Sequence, residues 1–202
     1  MFHTAYTGKR GAFLRRSKNK RDGGGKEEMA ETIRELISEQ DVDKRIEELG
    51  RQISADYEGK SIHLICILKG GAFFMCELAK RITVPVSIDF MSVGSYGDDT
   101  VSSGSIKIKK DLEESIEGKE VLIVEDIIDS GRTLCYLTDV LEKRGAKSVR
   151  LCTLLDKPER RVVEVKTDYV GFQIPDEFVV GYGLDYAQKY RTLPYIGVVE
   201  GV

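Results

Sequence analysis

Three carboxylates and a run of small hydroxylated residues crowd into "VLIVEDIIDSGRTL", Val121 to Leu134. Four apolar residues lead into Glu125 and Asp126; Asp129 follows, and Ser130, Gly131, Arg132 and Thr133 come directly after it. Carboxylates accept hydrogen bonds from sugar hydroxyls and can bind a cation. A glycine-containing turn that opens a helix presents unpaired N–H groups and the positive end of a dipole, which suits a phosphate. Ser130 and Thr133 add hydroxyl donors, and Gly131 lets the backbone approach closely. The string therefore offers a phosphate cradle beside carboxylates, which is what a phosphorylated sugar requires. Singly, each residue has a plainer use: Ser130 or Asp129 as a helix N-cap, and the two leading acids as a solvated strand end. The string is neither G-x-x-x-x-G-K-[ST] nor G-x-G-x-x-G, so the two common nucleotide-loop motifs are excluded.

Elements must hold such a cradle in place. "KEVLIVED" is a continuous apolar strand that brings Glu125 and Asp126 to its carboxyl end, where ligands bind in an open α/β sheet. Thr133 to Arg144 has Leu134, Leu137 and Leu141 at helical spacing, with Gly145 as its stop. "SIHLICILKGG" predicts a buried strand and a tight turn, and Ala72 to Arg81 a helix. Val42, Ile46, Leu49 and Ile53 mark one face of an earlier helix. "VPVSIDFMSV", "SIKIKKDL" and "SVRLCTLLDK" read as further strands. Short strands are expected around Tyr169–Phe172, Phe178–Val180 and Ile196–Val199. Strands alternating with helices argue for an α/β protein with a parallel sheet.

The bulk properties agree with one folding unit of 202 residues, 41% hydrophobic and 32% charged. A net charge of −3 calls for neither nucleic acid nor an anionic membrane. Cys66, Cys76, Cys135 and Cys152 form no C-x-x-C pair, so zinc is not indicated, and a reducing, cytoplasmic compartment is the default. Residues 1–28 differ, with eight Lys or Arg against three Asp or Glu and no apolar core of a signal peptide. They read as a disordered basic tail or extension, with a nucleic-acid-binding arm or an organellar address as the sharper alternative. Residues 29–202 read as a single domain.

"VLIVEDIIDSGRTL" closely resembles the phosphoribosyl-pyrophosphate (PRPP) signature of the type I phosphoribosyltransferase family. "EDIIDSG" is similar to the purine branch, the hypoxanthine-guanine phosphoribosyltransferases. "LKGG" (Leu68 to Gly71), "LLDKPERR" (Leu154 to Arg161) and "IPDEFVVGYGLDYAQKYRTLPYIG" (Ile174 to Gly197) agree with that branch. The resemblance covers nearly everything from Val42 onward and leaves out residues 1–28. It implies a central, mainly parallel twisted sheet flanked by helices, with a small hood built from N- and C-terminal segments. It also implies purine salvage: Mg²⁺-dependent transfer of the 5-phosphoribosyl group from PRPP to hypoxanthine, and to guanine, giving IMP or GMP and pyrophosphate. Members of the family work as homodimers or homotetramers.

The resemblance assigns roles. Glu125 and Asp126 match the acids that hold the ribose hydroxyls and organise magnesium, and Asp185 a second magnesium-associated carboxylate that also borders the purine. Asp129 matches the acid/base residue facing purine N7. Ser130, Gly131, Arg132 and Thr133 match the 5′-phosphate loop, with more weight on backbone donors than on the Arg132 side chain. Lys69 and Gly70 match the pyrophosphate loop, where the family carries an unusual cis peptide, and Arg191 matches a second pyrophosphate contact. Lys157 matches the donor to purine O6, Phe178 the ring stacked on the purine, and Val179 a backbone contact at its 2-position edge. "SVGSYGDDTVSSGS", Ser92 to Ser105, resembles a flexible lid carrying the pair Ser95 and Tyr96. A xanthine-preferring or uracil-using enzyme is the alternative within the class, and "LLDKPERR" speaks against uracil. A nucleotide- and RNA-binding regulator on the same fold is the alternative outside it.

Overall fold

The structure, a computed structural model, describes residues 31–95 and 106–201. The basic N-terminal stretch, and Tyr96 with most of the expected lid, lie outside the described residues. The elements in chain order are β1 (Thr32–Ile37), α1 (Glu39–Asp56), β2 (Ile62–Leu68), α2 (Gly71–Ala79), β3 (Val86–Ser95), β4 (Ile106–Lys110) and β5 (Glu120–Ile128). There follow α3 (Arg132–Lys143), β6 (Ser148–Asp156), a single 3₁₀ turn (Pro158–Arg160), β7 (Tyr169–Gln173), β8 (Val179–Val180) and β9 (Ile196–Glu200). Ser95 is thus the last residue of β3 rather than a loop residue.

Six strands form one sheet in the order β4-β3-β2-β5-β6-β7, parallel except for β4 at one edge. β5 lies inside it, and its alternating side chains serve two cores. Leu122 and Val124 join α1 and α2 on one face, with Val42, Ile46, Leu49, Ile53, Phe74 and Leu78. Val121 and Ile123 join Leu134, Leu137 and Leu141 of α3 on the other. Burial on both faces explains the unbroken apolar run, and burying each such side chain contributes about 1.5–3 kcal/mol. α1 begins at Ser38, whose side chain accepts from the Asp41 N–H at 3.2 Å.

A second, antiparallel sheet in the order β1-β9-β8 forms the hood, with Thr32 opposite Glu200 and Val179 opposite Val198. It joins the first described strand to the last, as the expected hood of N- and C-terminal segments requires.

One local expectation is corrected, and one plainer alternative is ruled out. Glu125 and Asp126 are not the end of their strand, because β5 continues to Ile128. Pairing with β2 stops at Val124 whereas pairing with β6 runs on to Ile128 opposite Asp156, so the acids stand where β5 has lost one neighbour. Neither Ser130 nor Asp129 caps α3: the N-cap is Gly131 at φ 82°, with no side-chain cap bond. The left-handed turn there suits glycine, and a Cβ at this position would lie 2.6 Å from the Val163 carbonyl.

Candidate active site

Where β2 ends, the chain turns through Lys69 and Gly70 into α2, and a cis peptide joins Leu68 to Lys69. This turn lies against β5: a Cβ on Gly70 would stand 1.5 Å from Asp126 Oδ2. Only a glycine leaves that carboxylate its place. A Cβ on Gly183 would in turn meet the Gly70 carbonyl at 2.0 Å, so the 69–71 turn also touches the loop before β9.

Glu125 lines a cavity of about 280 Å³ with Ile67, Leu68, Val93, Ile127 to Gly131, Thr133 and Leu134. Its Oε2 is sealed from solvent and has no hydrogen-bond partner among the described residues. Burial, and then the negative charge of Asp126, push the Glu125 carboxyl well above the usual carboxylate range. Burial also raises Asp126, although the Ile127 N–H donates to its Oδ1 at 2.9 Å. An orphaned carboxylate oxygen beside a second acid is costly unless a hydroxyl or a cation joins it.

The loop beyond is held from behind. The Lys157 N–H donates to the Ile128 carbonyl at 3.0 Å, and the Val162 and Val163 N–H groups donate to the Ser130 carbonyl at 3.0 and 3.1 Å. Behind the same loop Arg161 is ion-paired with Asp156. Ser130 Oγ reaches the Arg132 N–H at 3.5 Å, a long contact, so the hydroxyl is available to a ligand.

The other expected residues fall into two ion networks. In the first, Arg191 Nη2 pairs with Asp185 at 2.6 Å and Nη1 donates to the Gly183 carbonyl at 2.7 Å. Gln188 Oε1 lies 3.4 Å from both Lys69 Nζ and Arg191 Nη2, so a neutral acceptor bridges the two expected pyrophosphate cations. The Gln188 N–H also donates to Asp185 Oδ2 at 2.7 Å. In the second, Lys157 Nζ stands 3.6 Å from Asp176, which faces Arg160 at 3.6 Å, and Arg160 Nε donates to Asp129 Oδ1 at 3.0 Å.

Phe178 is no core aromatic: the residue is 51% exposed, and its ring meets the Tyr186 ring edge-on, centroids 5.5 Å apart. Val179 is buried in the hood, paired with β9. Glu125, Asp126 and Asp185 do not gather into a protein-only metal cage; no such group of three ligands occurs among the described residues. Arg160, Asp176 and Gln188 received no role from sequence reasoning. Each stands inside a quoted motif, but what singles it out is a partner up to 119 residues away, as for Gln188 and Lys69.

A family model described as the phosphoribosyl transferase domain matches residues 18–187. The bifunctional protein TilS/HprT of Listeria monocytogenes serotype 4b is 55% identical over 181 residues; the match takes in 89% of this chain but 28% of that protein, so the chain spans under a third of its length. The hypoxanthine-guanine phosphoribosyltransferase of Bacillus subtilis is 53% identical over 82% of this chain and 92% of its own. A solved hypoxanthine phosphoribosyltransferase from Staphylococcus aureus superposes with a TM-score of 0.79 at 51% identity, covering 82% of this chain and 90% of that one. A family match over most of the residues, and relatives of near-equal length at this identity, show that the chain belongs to the phosphoribosyltransferase family, in its hypoxanthine-guanine branch.

Proposed function

We propose that the chain transfers the 5-phosphoribosyl group of PRPP to hypoxanthine, and to guanine, yielding IMP or GMP and pyrophosphate. The carrying observation is the Glu125–Asp126 pair, one oxygen of it sealed and unpartnered, beside a cavity that ends in the Ser130–Thr133 turn. Such a site suits a ribose whose 5′-phosphate rests on the start of α3.

In the reaction the bond from C1′ to a pyrophosphate oxygen breaks, a bond from C1′ to a purine nitrogen forms, and the purine gives up one proton. Glu125 and Asp126 accept from the ribose hydroxyls. Ser130, Gly131 and Thr133 hold the 5′-phosphate, with Arg132 at the rim. Lys69 and Arg191 face the leaving pyrophosphate, and Gln188 must release both. Asp129 handles the proton near purine N7. Lys157, whose side chain is 11% exposed, donates to a 6-oxo group and has nothing to accept from the 6-amino group of adenine. Phe178 stacks on the base, Val179 meets its 2-position edge by backbone, and Asp185 borders the same edge. Ser95, the last residue of β3, belongs to the stretch assigned the lid role.

The acids present fit a magnesium ion. The unpartnered Glu125 oxygen and the neighbouring Asp126 carboxyl are oxygen donors with no ion-pair partner among the described residues, and Mg²⁺ uses one or two carboxylates beside phosphates. Glu125 and Asp126 would hold it, joined by Asp185 once freed from Arg191. Bound there, the ion supplies charge neutralisation on the departing pyrophosphate. The reading includes a homodimer or homotetramer in the cytoplasm; among the described residues no helix is long and apolar enough to cross a membrane.

The test is product formation from PRPP and Mg²⁺ with hypoxanthine, guanine, xanthine, adenine and uracil in parallel. Conversion of hypoxanthine, with guanine near or slower and adenine and uracil silent, is expected. A xanthine preference would overturn the substrate assignment. Folded protein that converts none of the five would defeat the enzyme reading and favour a nucleotide- or RNA-binding regulator.

A further inference from the structure

Asp129 does not stand alone, although the proposed chemistry treats it so. Arg160 Nε donates to its Oδ1 at 3.0 Å, and Arg160 Nη1 faces Asp176 Oδ2 at 3.6 Å. The other oxygen of Asp176 faces Lys157 Nζ at 3.6 Å. A chain of alternating charge thus runs Asp129–Arg160–Asp176–Lys157. Its two ends are the residue proposed to take the purine's proton and the residue proposed to hold its 6-oxo group. We infer that Arg160 is a positioning residue, which aims the Asp129 carboxylate at the base and, through Asp176, couples that aim to Lys157. The inference rests on the functional reading above and deepens it.

Two observations separate this role from a structural one. The turn bearing Arg160 is held by backbone bonds without its side chain: Lys157 N–H to Ile128, and Val162 and Val163 N–H to Ser130. The Arg160 and Asp129 side chains are 53% and 48% exposed, and an ion pair so placed contributes little to stability. What the guanidinium does fix is direction. Its planar fork reaches two carboxylates at once, which a lysine's single ammonium cannot do in the same geometry. A base bound between Lys157 and Asp129 would exclude water from the pair and strengthen its hold.

The test is a double-mutant cycle with Arg160→Met, Asp129→Asn and the double variant, plus Arg160→Lys. The readouts are turnover and, independently of turnover, IMP binding by calorimetry. Arg160→Met is expected to lower kcat about tenfold or more, a part of what acid–base catalysis supplies, with the KM for PRPP within about twofold. In the Asp129→Asn background the same substitution should change neither kcat nor IMP affinity further, and Arg160→Lys should restore only part of the loss. Unchanged kcat in Arg160→Met, or equal effects of that substitution in both backgrounds, would overturn the inference. Absent turnover in the unsubstituted protein would defeat the functional reading instead, and the IMP-binding cycle would still decide whether Arg160 acts through Asp129.

Discussion

Glu125 and Asp126 stand where β5 has lost its β2 neighbour; among the described residues neither has a lysine or arginine in ion-pair contact, and one oxygen of Glu125 has no hydrogen-bond partner. Four to sixty residues further on, Asp129 and Asp185 are each matched to an arginine, at 3.0 and 2.6 Å. The first pair comes from the stretch of β5 beyond its pairing with β2, where Arg191 acts on Asp126 only at a distance. The second comes from turns, where charged partners reach from other turns. The difference assigns different work. On the proposed reading, the inner acids are completed by the ligand's hydroxyls and a cation. The outer acids are already balanced, so a ligand must exchange with an internal partner or use the acid as that partner has aimed it.

If an outer acid does the proton chemistry, Asp129→Asn lowers kcat by about 10²–10⁴ while PRPP binding survives. Turnover at the original level, measured with saturating substrates, would place the chemistry elsewhere. If the inner acids need their present position, Gly70→Ala is the sharpest probe, since its Cβ would overlap Asp126 Oδ2. Displacement on this scale is expected to lower kcat/KM for PRPP by about 10²; a variant with intact kinetics would mean that Asp126 need not stay where it is. Lys157→Ala removes the proposed 6-oxo donor, and the KM for hypoxanthine should rise about 10- to 100-fold, with looser rejection of adenine. Adenine excluded as firmly as before would relocate that contact.

The smallest effect tests the missing counter-charge directly. In ligand-free protein, burial raises the Glu125 and Asp126 carboxyls, so the folded state holds their protons more tightly than the unfolded chain. That contribution is complete below the ordinary values of 4.5 and 3.8, and is lost as pH rises through the raised ones. Thermal melts from about pH 5 to pH 8 should therefore show a downward slope, flattened in Glu125→Gln and by PRPP with Mg²⁺. Identical slopes in the two proteins would mean that the pair is already neutralised.

The strands of the six-stranded sheet were legible because burial on both faces leaves unbroken apolar runs such as "VLIV". α1 and α3 were legible because one buried stripe repeats at helical spacing. β1 was not read as a strand: in "TIRELI" two charged residues, Arg34 and Glu35, interrupt a hood-edge strand that pairs on one side only. The continuation of β5 beyond Asp126 to Ile128 was missed because paired carboxylates look like the start of a turn. In the site, the residues in the signature string could be named, but their partners could not. Arg160 reaches Asp129 across 31 positions and Gln188 reaches Lys69 across 119, distances that no periodicity records. The plainer use of Ser130 as a helix cap fails for a related reason: it has the chemistry of a cap, but its carbonyl is fastened to the 162–163 backbone and Gly131 takes the turn.

The hood has a mechanical consequence. Because β1 and β9 run antiparallel with Thr32 opposite Glu200, the two strands leave their ladder at the same end. A stretching force applied at those two residues would load the ladder's hydrogen bonds one at a time, as a zipper is opened, and not all together in shear. β9 would peel from β1 and then from β8, carrying away the backbone beside Phe178 and Val179 while the parallel sheet still held the Ser130–Thr133 turn. On the proposed assignments, tension would loosen the base side of the site before the phosphate side.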